Sequence, residues 1–351
     1  MSQTTLNVKP EHPWKLTPKD LVTDLLGALF TLLSTLVIVG FSPLKGKLGF
    51  ALTLIVMAIL TATVMSWIRL DRKAAVNSST TVLVYIAASF VIMALASVLY
   101  EIIRLGAPGF SLSIFTKDMS ETASDMPLTE GGLLHAVIGT AYIVIFATLI
   151  ATPIGILTAL YIVEVKGRFA GTVRFFVQAM SGVPSIVAGL FIFAFWMIQL
   201  GNSYSGIAGG FALTVLMIPT VARTAEEVLL LIPNDLREAG LALGATQWRT
   251  VAMVVVPAVK SGLVTAVILG VARVIGETAP ILLVSGGGES VNFNPVSGPM
   301  GSIPYYVWKS FQLGGTEESS QRTWAGLLVL IIWILFLFTI ARYISSRSQK
   351  R

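Results

Sequence analysis

The sequence contains no cysteine, and only 12% of its 351 residues are charged. The missing cysteine excludes disulfides, thiolate metal sites and cysteine nucleophiles, and it leaves the redox compartment undetermined. Soluble domains usually carry about 25% charged residues, so this chain lacks the polar surface that such a domain needs. Instead, 55% of the residues are hydrophobic and the mean hydropathy is +0.82. These values exclude a soluble domain and intrinsic disorder, and they predict a membrane protein.

Long apolar runs indicate how the chain meets the membrane. A helix needs about 20 apolar residues to cross a bilayer, and eight runs approach that length. We therefore expect an all-α, polytopic bundle of about eight transmembrane helices. Residues 1–20 are polar and do not resemble a signal peptide, because the following apolar run is long and lacks an evident cleavage site. The predicted spans are 21–42, 48–68, 81–103, 133–163, 173–200, 206–227, 261–285 and 325–344.

Basic residues predict the orientation of these spans. If the N-terminus is inside, 16 of the 24 Lys and Arg residues fall on the inner side and six on the outer side. Arg223 and Arg273 fall within spans. Lys and Arg are retained on the cytoplasmic side of membranes, so both termini are predicted to be cytoplasmic. The net charge of +6 then requires no nucleic-acid partner.

Three connections are longer than a turn. Segment 104–132 is acidic, and segment 286–324 is rich in Gly, Pro and aromatic residues. Both are predicted to lie outside. Segment 228–260 has helical periodicity and is predicted to lie inside. We find no sign of a separate soluble domain in these connections.

Motifs for catalysis or nucleotide binding fail on inspection. Segment 40–47 has one residue too many for a phosphate-binding P-loop, and Leu48 stands where Ser or Thr should ligate magnesium. The glycines 286–288 lack the spacing of a dinucleotide site. His12 and His135 are far apart and have no ligand partners in the sequence. We therefore predict that the chain is not an enzyme and binds no cofactor or metal.

The inner segment 228–260 contains the most informative stretch. After Pro233, Asp235 and Glu238 have the i, i+3 spacing of a capping box, which predicts the start of a helix. Gly244 interrupts this helix, and Pro257 marks the beginning of the next span. Three apolar residues share one face of it, namely Leu236, Ala239 and Leu243. Such an amphipathic helix between two spans is suited to binding a soluble partner.

This stretch resembles the EAA loop of ABC-importer permeases, which reads Glu-Ala-Ala, three residues, Gly, nine residues, Ile-x-Leu-Pro. The matching positions are Glu238, Ala239, Gly240 in place of the second Ala, Gly244, Val254, Val256 and Pro257. The resemblance implies a coupling helix that sits in a cleft of a separate ATPase subunit. It implies that Glu238 contacts this ATPase and that Gly244 is a point of close approach. An interfacial helix with an incidental cap is the alternative.

Charged residues within the predicted spans suggest an anion pathway. Arg223 and Glu226 are three residues apart, and Arg273 and Glu277 are four apart, so each pair can lie on one helix face. One charge in mid-span costs about 2.5–3.5 kcal/mol on insertion scales, so such a face should look onto protein or water. Arginine offers a planar fork of donors that suits oxyanions. Structural salt bridges, or solvation of Arg223 at the membrane boundary, are the alternatives.

Two further segments, 276–280 (Gly-Glu-Thr-Ala-Pro) and 181–191 (Ser-Gly-Val-Pro-Ser-Ile-Val-Ala-Gly-Leu-Phe), resemble the PstA family of phosphate-importer permease subunits. The resemblance covers about 76–351, a six-span permease core, and leaves 1–75 as an extension with two predicted spans. Pro184, with Gly182, is expected to break the fifth span, although a simple kink is the alternative. The charged residues that the resemblance assigns to the translocation path are Arg223, Glu226, Arg273 and Glu277.

The resemblance also implies partners. They are a PstC-like paralogous permease, a PstB-like ATPase dimer that uses ATP and Mg²⁺, and a PstS-like phosphate-binding protein docking on 104–132 and 286–324. Membrane lipid surrounds the bundle. A permease for sulfate or molybdate is the alternative within the class. An ion-coupled secondary transporter is the alternative outside it, although the 228–260 loop argues against that class.

Overall fold

The computed structural model describes residues 18–43, 46–123 and 126–349, and it is almost wholly helical there. These residues contain no β-strand, and pairing of extended backbone among them is limited to a bridge between Gly286 and Met300. The all-α prediction is confirmed. The tail with Lys9, Lys15 and His12 lies outside the described residues, so the predicted cytoplasmic placement of the N-terminus stays a prediction.

The chain divides into two compact units, residues 1–99 and 100–351. In the first unit, α1 packs on α2. Helix α3 begins in the first unit and continues into the second. These three helices are α1 (Pro18–Phe41), α2 (Lys47–Arg69) and α3 (Arg72–Gly106). The division lies further along the chain than the predicted end of the extension at residue 75.

The second unit contains the remaining helices. Three of them run on without interruption into π-helical turns, which are α4 into Tyr161–Val165, α6 into Phe193–Gln199 and α9 into Val251–Val255. Their bounds are α4 (Leu134–Leu160), α5 (Ala170–Ser181), α6 (Ser185–Ile192), α7 (Gly206–Leu230), α8 (Asn234–Ala242), α9 (Gln247–Thr250), α10 (Val256–Ala258), α11 (Lys260–Val274), α12 (Ala279–Val284), α13 (Ile303–Leu313) and α14 (Glu317–Gln349).

Length and apolar composition identify the membrane-crossing helices. Six helices of the described residues are long and apolar enough to cross, or up to eight if each of two bent pairs is one span. The predicted fifth span is bent by 103° between α5 and α6, as expected from Pro184. The predicted seventh span, 261–285, is not continuous, because α11 ends at Val274 and α12 starts at Ala279. The count of eight spans stays a prediction.

Helices α4 and α7 form the centre of the second unit. They pack along each other and bury a core that includes Ile143, Leu213 and Met217. Together with its π-helical turn, α4 has 32 residues and extends about 48 Å, which exceeds the apolar thickness of a bilayer. The N–H of Leu133, just before α4, donates a hydrogen bond to the connection that precedes the helix. At the other end of α4, the side chain of Glu164 forms an ion pair with α8. The connection that precedes α4 and helix α8 therefore lie at opposite ends of α4.

Candidate functional site

Helix α8 coincides with the predicted helix of the EAA-like stretch. It begins at Asn234, and Pro233 is its N-cap residue. The predicted capping box is wrong, because among the described residues no side chain caps this helix. With the cap at Pro233, Asp235 is the second helical residue and Glu238 the fifth, so the pair is out of register with a box. Glu238 is exposed and free to meet another molecule.

The C-terminal end of α8 has a defined geometry that requires glycine. The Ala245 N–H donates to the Gly240 carbonyl at 3.3 Å, and the Gly244 N–H donates to the Leu241 carbonyl at 2.9 Å. This is a Schellman motif, and Gly244 occupies its left-handed position with φ +80°. A Cβ at Gly244 would meet no atom within 4 Å in the part of the chain that the structure describes. The backbone turn, and not packing within this chain, therefore explains the glycine.

The two faces of α8 are arranged in an unusual way. Its apolar residues point away from the chain: Leu236 is 43% exposed and Leu243 89% exposed, and Ala239 is also exposed. The buried side carries Gly240, where a Cβ would lie 2.6 Å from Cγ2 of Thr250. The close approach of Thr250 explains why glycine replaces the second alanine of the EAA pattern.

A buried ion pair connects α8 to the end of α4. Nη2 of Arg237 lies 2.7 Å from Oε1 of Glu164, and the two side chains are 19% and 5% exposed. Nε of Arg237 adds contacts of 3.1 and 3.0 Å to the two carboxylate oxygens. Sequence reasoning missed this pair because 73 residues separate its members. The available signal was an isolated acid at the end of an apolar run and an arginine within the motif.

Two helix breaks lie within the segments that resemble PstA. Pro184 ends the first break and is the N-cap residue of α6. The second break covers residues 275–278, where Gly276 and Glu277 separate α11 from α12 and Pro280 stands in the first turn of α12. In the described part of the chain, no side chain caps the start of α6 or of α12. The first N–H groups of both helices are therefore left without side-chain acceptors.

These breaks are brought together by close packing of α6 on α12. A Cβ at Gly189 would lie 2.7 Å from Cα of Pro280, so glycine is needed for this contact. Gly189 and Pro280 belong to the two segments 181–191 and 276–280, which are distant in sequence. The structure thus joins the two segments into one region. Gly182 and Pro184 are exposed there.

The intramembrane charges find partners that their spacing did not predict. Glu226 accepts a hydrogen bond from Nε of Arg174 in α5 at 2.7 Å. Nε of Arg223 lies 3.7 Å from Oε1 of Glu227, and both of these side chains are exposed. Arg223 and Glu226 therefore do not pair with each other, because α5 supplies the cation for Glu226, and their place on the pathway stays a prediction.

Arg273 and Glu277 differ from the other pair. Arg273 is exposed in the last turn of α11, and Glu277 is half-buried in the following break. No ion pair within the described ranges includes either residue. A structural salt bridge does not explain Arg273, and its donors are available to a ligand or another chain.

The opposite end of the unit is formed by the two long segments that are predicted to lie outside, 104–132 and 286–324, which pack on each other and are called the outer segments below. Buried Arg322 donates to the carbonyls of Met126 and Pro127 at 2.9 and 2.6 Å. The Val291 N–H donates to Oδ2 of Asp118 at 3.0 Å. Burial opposes ionisation of Asp118, but hydrogen bonds from Ser120 and Val291 outweigh it and hold the pKa of this carboxyl below its ordinary value.

Comparisons with known proteins agree with this architecture. Residues 151–350 match the family described as "Binding-protein-dependent transport system inner membrane component". A relative from Pasteurella multocida (strain Pm70), "Phosphate transport system permease protein PstA", is 36% identical over 269 residues, 76% of this chain and 93% of the relative. A protein of the same name from Mycobacterium leprae (strain TN) is 41% identical over 222 residues, 62% of this chain and 72% of the relative.

A solved structure, "Inward facing conformations of the MetNI methionine ABC transporter", is similar with a TM-score of 0.49 and 24% identity over 62% of this chain and 94% of the other. The family description and the long apolar helices make this chain a multi-pass protein of the bacterial plasma (inner) membrane. The chain belongs to the family of binding-protein-dependent transport system inner membrane components, and within it to the PstA permeases.

Proposed function

We propose that this chain is one permease subunit of an ATP-driven phosphate importer. Its relatives are named phosphate transport system permease proteins, which supports phosphate as the substrate. Membership of an ABC-importer permease family implies an ATPase and a binding protein as partners. The proposed complex contains a PstC-like paralogous permease, a PstB-like ATPase dimer and a PstS-like phosphate-binding protein. The ATPase uses ATP and Mg²⁺, and this chain holds no cofactor.

The exposed apolar face of α8 is the observation that carries the proposal. Leu236 of α8, its C-cap residue Leu243 and Trp248 of α9 are 43%, 89% and 65% exposed, and Glu238 of α8 is exposed as well. Apolar side chains gathered on a polar loop are typical of a protein–protein interface. The ATPase would cover this face and use Glu238, Ala239, Gly244 and Pro257 as its coupling surface. Gly240, also expected there from the sequence, is buried and instead lets α8 pack against Thr250.

The same geometry supports a mechanism of alternating access. ATP binding closes the partner ATPases and displaces α8, and the spans joined to α8 swing the pathway outward. Hydrolysis then resets the complex. On the pathway, Arg273 and the first N–H groups of α6, which follow the break at Gly182 and Pro184, would replace the water around phosphate. Glu277, Arg223 and Glu226 would tune the local charge.

We further propose that the transport core is 76–351 and that 1–75 is an added module. Contact between helices supports a division of the chain, although it places the boundary after Leu99. Uptake and complex assembly by a variant lacking 1–75 would test this. The proposal expects the complex to assemble and transport without 1–75, and loss of assembly would contradict it.

The function is tested in proteoliposomes that contain both permeases and the ATPase, with the binding protein added on the outer side. We expect labelled phosphate to accumulate only with ATP and Mg²⁺ on the ATPase side. Unlabelled phosphate should compete, whereas sulfate and molybdate should not. Competition by either of those anions would favour the alternative substrate. Uptake by this chain alone, driven by an ion gradient, would overturn the proposal.

The coupling surface is tested at Gly244. Asp and Asn have similar size and both tolerate left-handed backbone better than most residues. We expect Gly244→Asp to insert normally and to stop transport, since it adds bulk and charge where the ATPase would approach. Gly244→Asn separates the two contributions, because it adds the same bulk without the charge. Normal uptake by Gly244→Asp would remove Gly244 from the interface.

A further inference from the structure

The side chain of Arg237 connects three parts of the chain at once. Its Nε and Nη2 bind both carboxylate oxygens of Glu164 at 2.7–3.1 Å, at the end of α4. Nη2 also donates to the Leu229 carbonyl at 3.0 Å, and Nη1 donates to the Ile232 carbonyl at 2.8 Å. Those two carbonyls belong to the end of α7 and the turn that follows it. Arg237 itself belongs to α8.

A second tie reinforces the same corner. The Gln247 side chain, at the start of α9, donates to the backbone carbonyl of Glu164 at 2.5 Å. The residue two positions later, Lys166, has φ +50°, so the chain turns away directly after the contact. Glu164 is therefore held through both its side chain and its backbone by residues of the 228–260 loop.

The covalent chain does not provide this connection. Helix α8 follows α7 after a short turn, but Glu164 and Arg237 are 73 residues apart in sequence. A nine-residue helix is too short to be stable without tertiary contacts, so its orientation depends on the groups that hold it. Separating a buried carboxylate from its cation is also strongly unfavourable, because the charge loses the partner that compensates for its removal from water. Helix α8 and the end of α4 that carries Glu164 are thus constrained to move together.

We propose that the Arg237–Glu164 pair is the joint through which displacement of α8 is transmitted to α4. The proposal rests on the proposed function, since it names the residues that link the ATPase surface to a membrane-crossing helix. Arg237 and Glu164 act as positioning residues and contact neither phosphate nor nucleotide. Helix α4 packs along α7 at the centre of the second unit, so a tilt of α4 would alter the core around the pathway.

The first test measures rigidity and does not require transport. Because the chain has no cysteine, spin labels can be attached at Leu157→Cys in α4 and Asp235→Cys in α8, both exposed positions. In the assembled complex, we expect one narrow distance distribution that persists in the nucleotide-free and vanadate-trapped states. Arg237→Gln should broaden it. Arg104→Gln, which removes an exposed i, i+3 pair with Glu101, should not. An equally narrow distribution in Arg237→Gln would overturn the proposal.

The second test separates coupling from stability. Glu164→Gln keeps the shape of the side chain and removes its charge. We expect ATP hydrolysis by the complex to persist, while phosphate transported per ATP falls by about tenfold, within the range of known couplings between sites. Arg237→Lys, which keeps the charge but loses the fork, should fall between wild type and Glu164→Gln. If both variants transport as much phosphate per ATP as the wild type, the proposed role of the Arg237–Glu164 pair is contradicted. If the wild-type complex transports no phosphate with ATP, the proposed function fails, whereas the distance measurement still decides the joint.

Discussion

Arg237 and Arg273 both lie in helices that end at an interruption of helical structure, but their surroundings differ. Arg237 is largely buried, and its guanidinium contacts a carboxylate and two carbonyls. Arg273 is exposed, and no ion pair of the described residues includes it. A guanidinium whose donors are already occupied holds the framework together. One with free donors at the end of an apolar helix is costly unless something else binds it, so the comparison separates a structural arginine from a candidate ligand-binding one.

Loss of the buried arginine should have the largest effect on stability. Arg237→Gln leaves Glu164 as a buried charge without a cation, and breaking such pairs costs about 3–5 kcal/mol. We expect the free energy of unfolding, measured in mixed detergent, to fall by about that amount. Arg237→Lys should lose less, because the charge remains. An unchanged unfolding free energy in Arg237→Gln would show that water replaces the pair. Arg237 would then not be the structural arginine of this comparison.

Loss of the exposed arginine should affect transport and not folding. A hydrogen bond to a charged group contributes about 1.5–3 kcal/mol, so we expect Arg273→Gln to lower phosphate uptake by about tenfold to a hundredfold. The unfolding free energy should stay near wild type. Arg223→Gln, which removes an exposed arginine that already has an acidic neighbour, should lower uptake less. Wild-type uptake in Arg273→Gln would remove this residue from the pathway.

Asp118 represents an intermediate case, a carboxylate held by backbone donors. Its pKa in the folded state lies below the ordinary value of 3.8, so it binds its proton less readily there than in the unfolded chain. Its contribution to stability is therefore complete above pH 3.8 and is lost as the pH falls through the folded pKa. Limited proteolysis of the two outer segments at pH 5 and pH 3 should show faster cleavage at pH 3. Asp118→Asn should reduce that difference, and an unaltered difference would assign it to other groups.

An exposed ion pair should have the smallest effect. Nη1 of Arg104 lies 3.1 Å from Oε1 of Glu101, and the two side chains are 59% and 40% exposed. Pairs of this kind contribute about 0–1 kcal/mol because water screens them. We expect Arg104→Gln to change the unfolding free energy by no more than that. A loss comparable to that of Arg237→Gln would mean that burial does not explain the difference between the two arginines.

Particular elements show how far the sequence could be read. Pro184 predicts the bend of the fifth span, and the EAA-like spacing predicts α8, because both depend on local backbone chemistry. The seventh span was predicted as continuous, since its residues are apolar almost throughout. Gly276 and Pro280 weaken the helix there, yet neither one alone requires a break. The partner of Glu226 was also missed, because Arg174 lies on another helix.

The sequence by itself determined the membrane environment, the helical class and the coupling motif. Apolar runs, charge distribution and glycine and proline positions act over one or two helical turns, and they leave few alternatives in a bilayer. Only the tertiary structure decided which charges meet, that Thr250 requires glycine at position 240, and that Glu164 receives Arg237. Those outcomes depend on how α4, α7 and the α8 corner pack. Such packing joins residues whose separation along the chain carries no periodic signal.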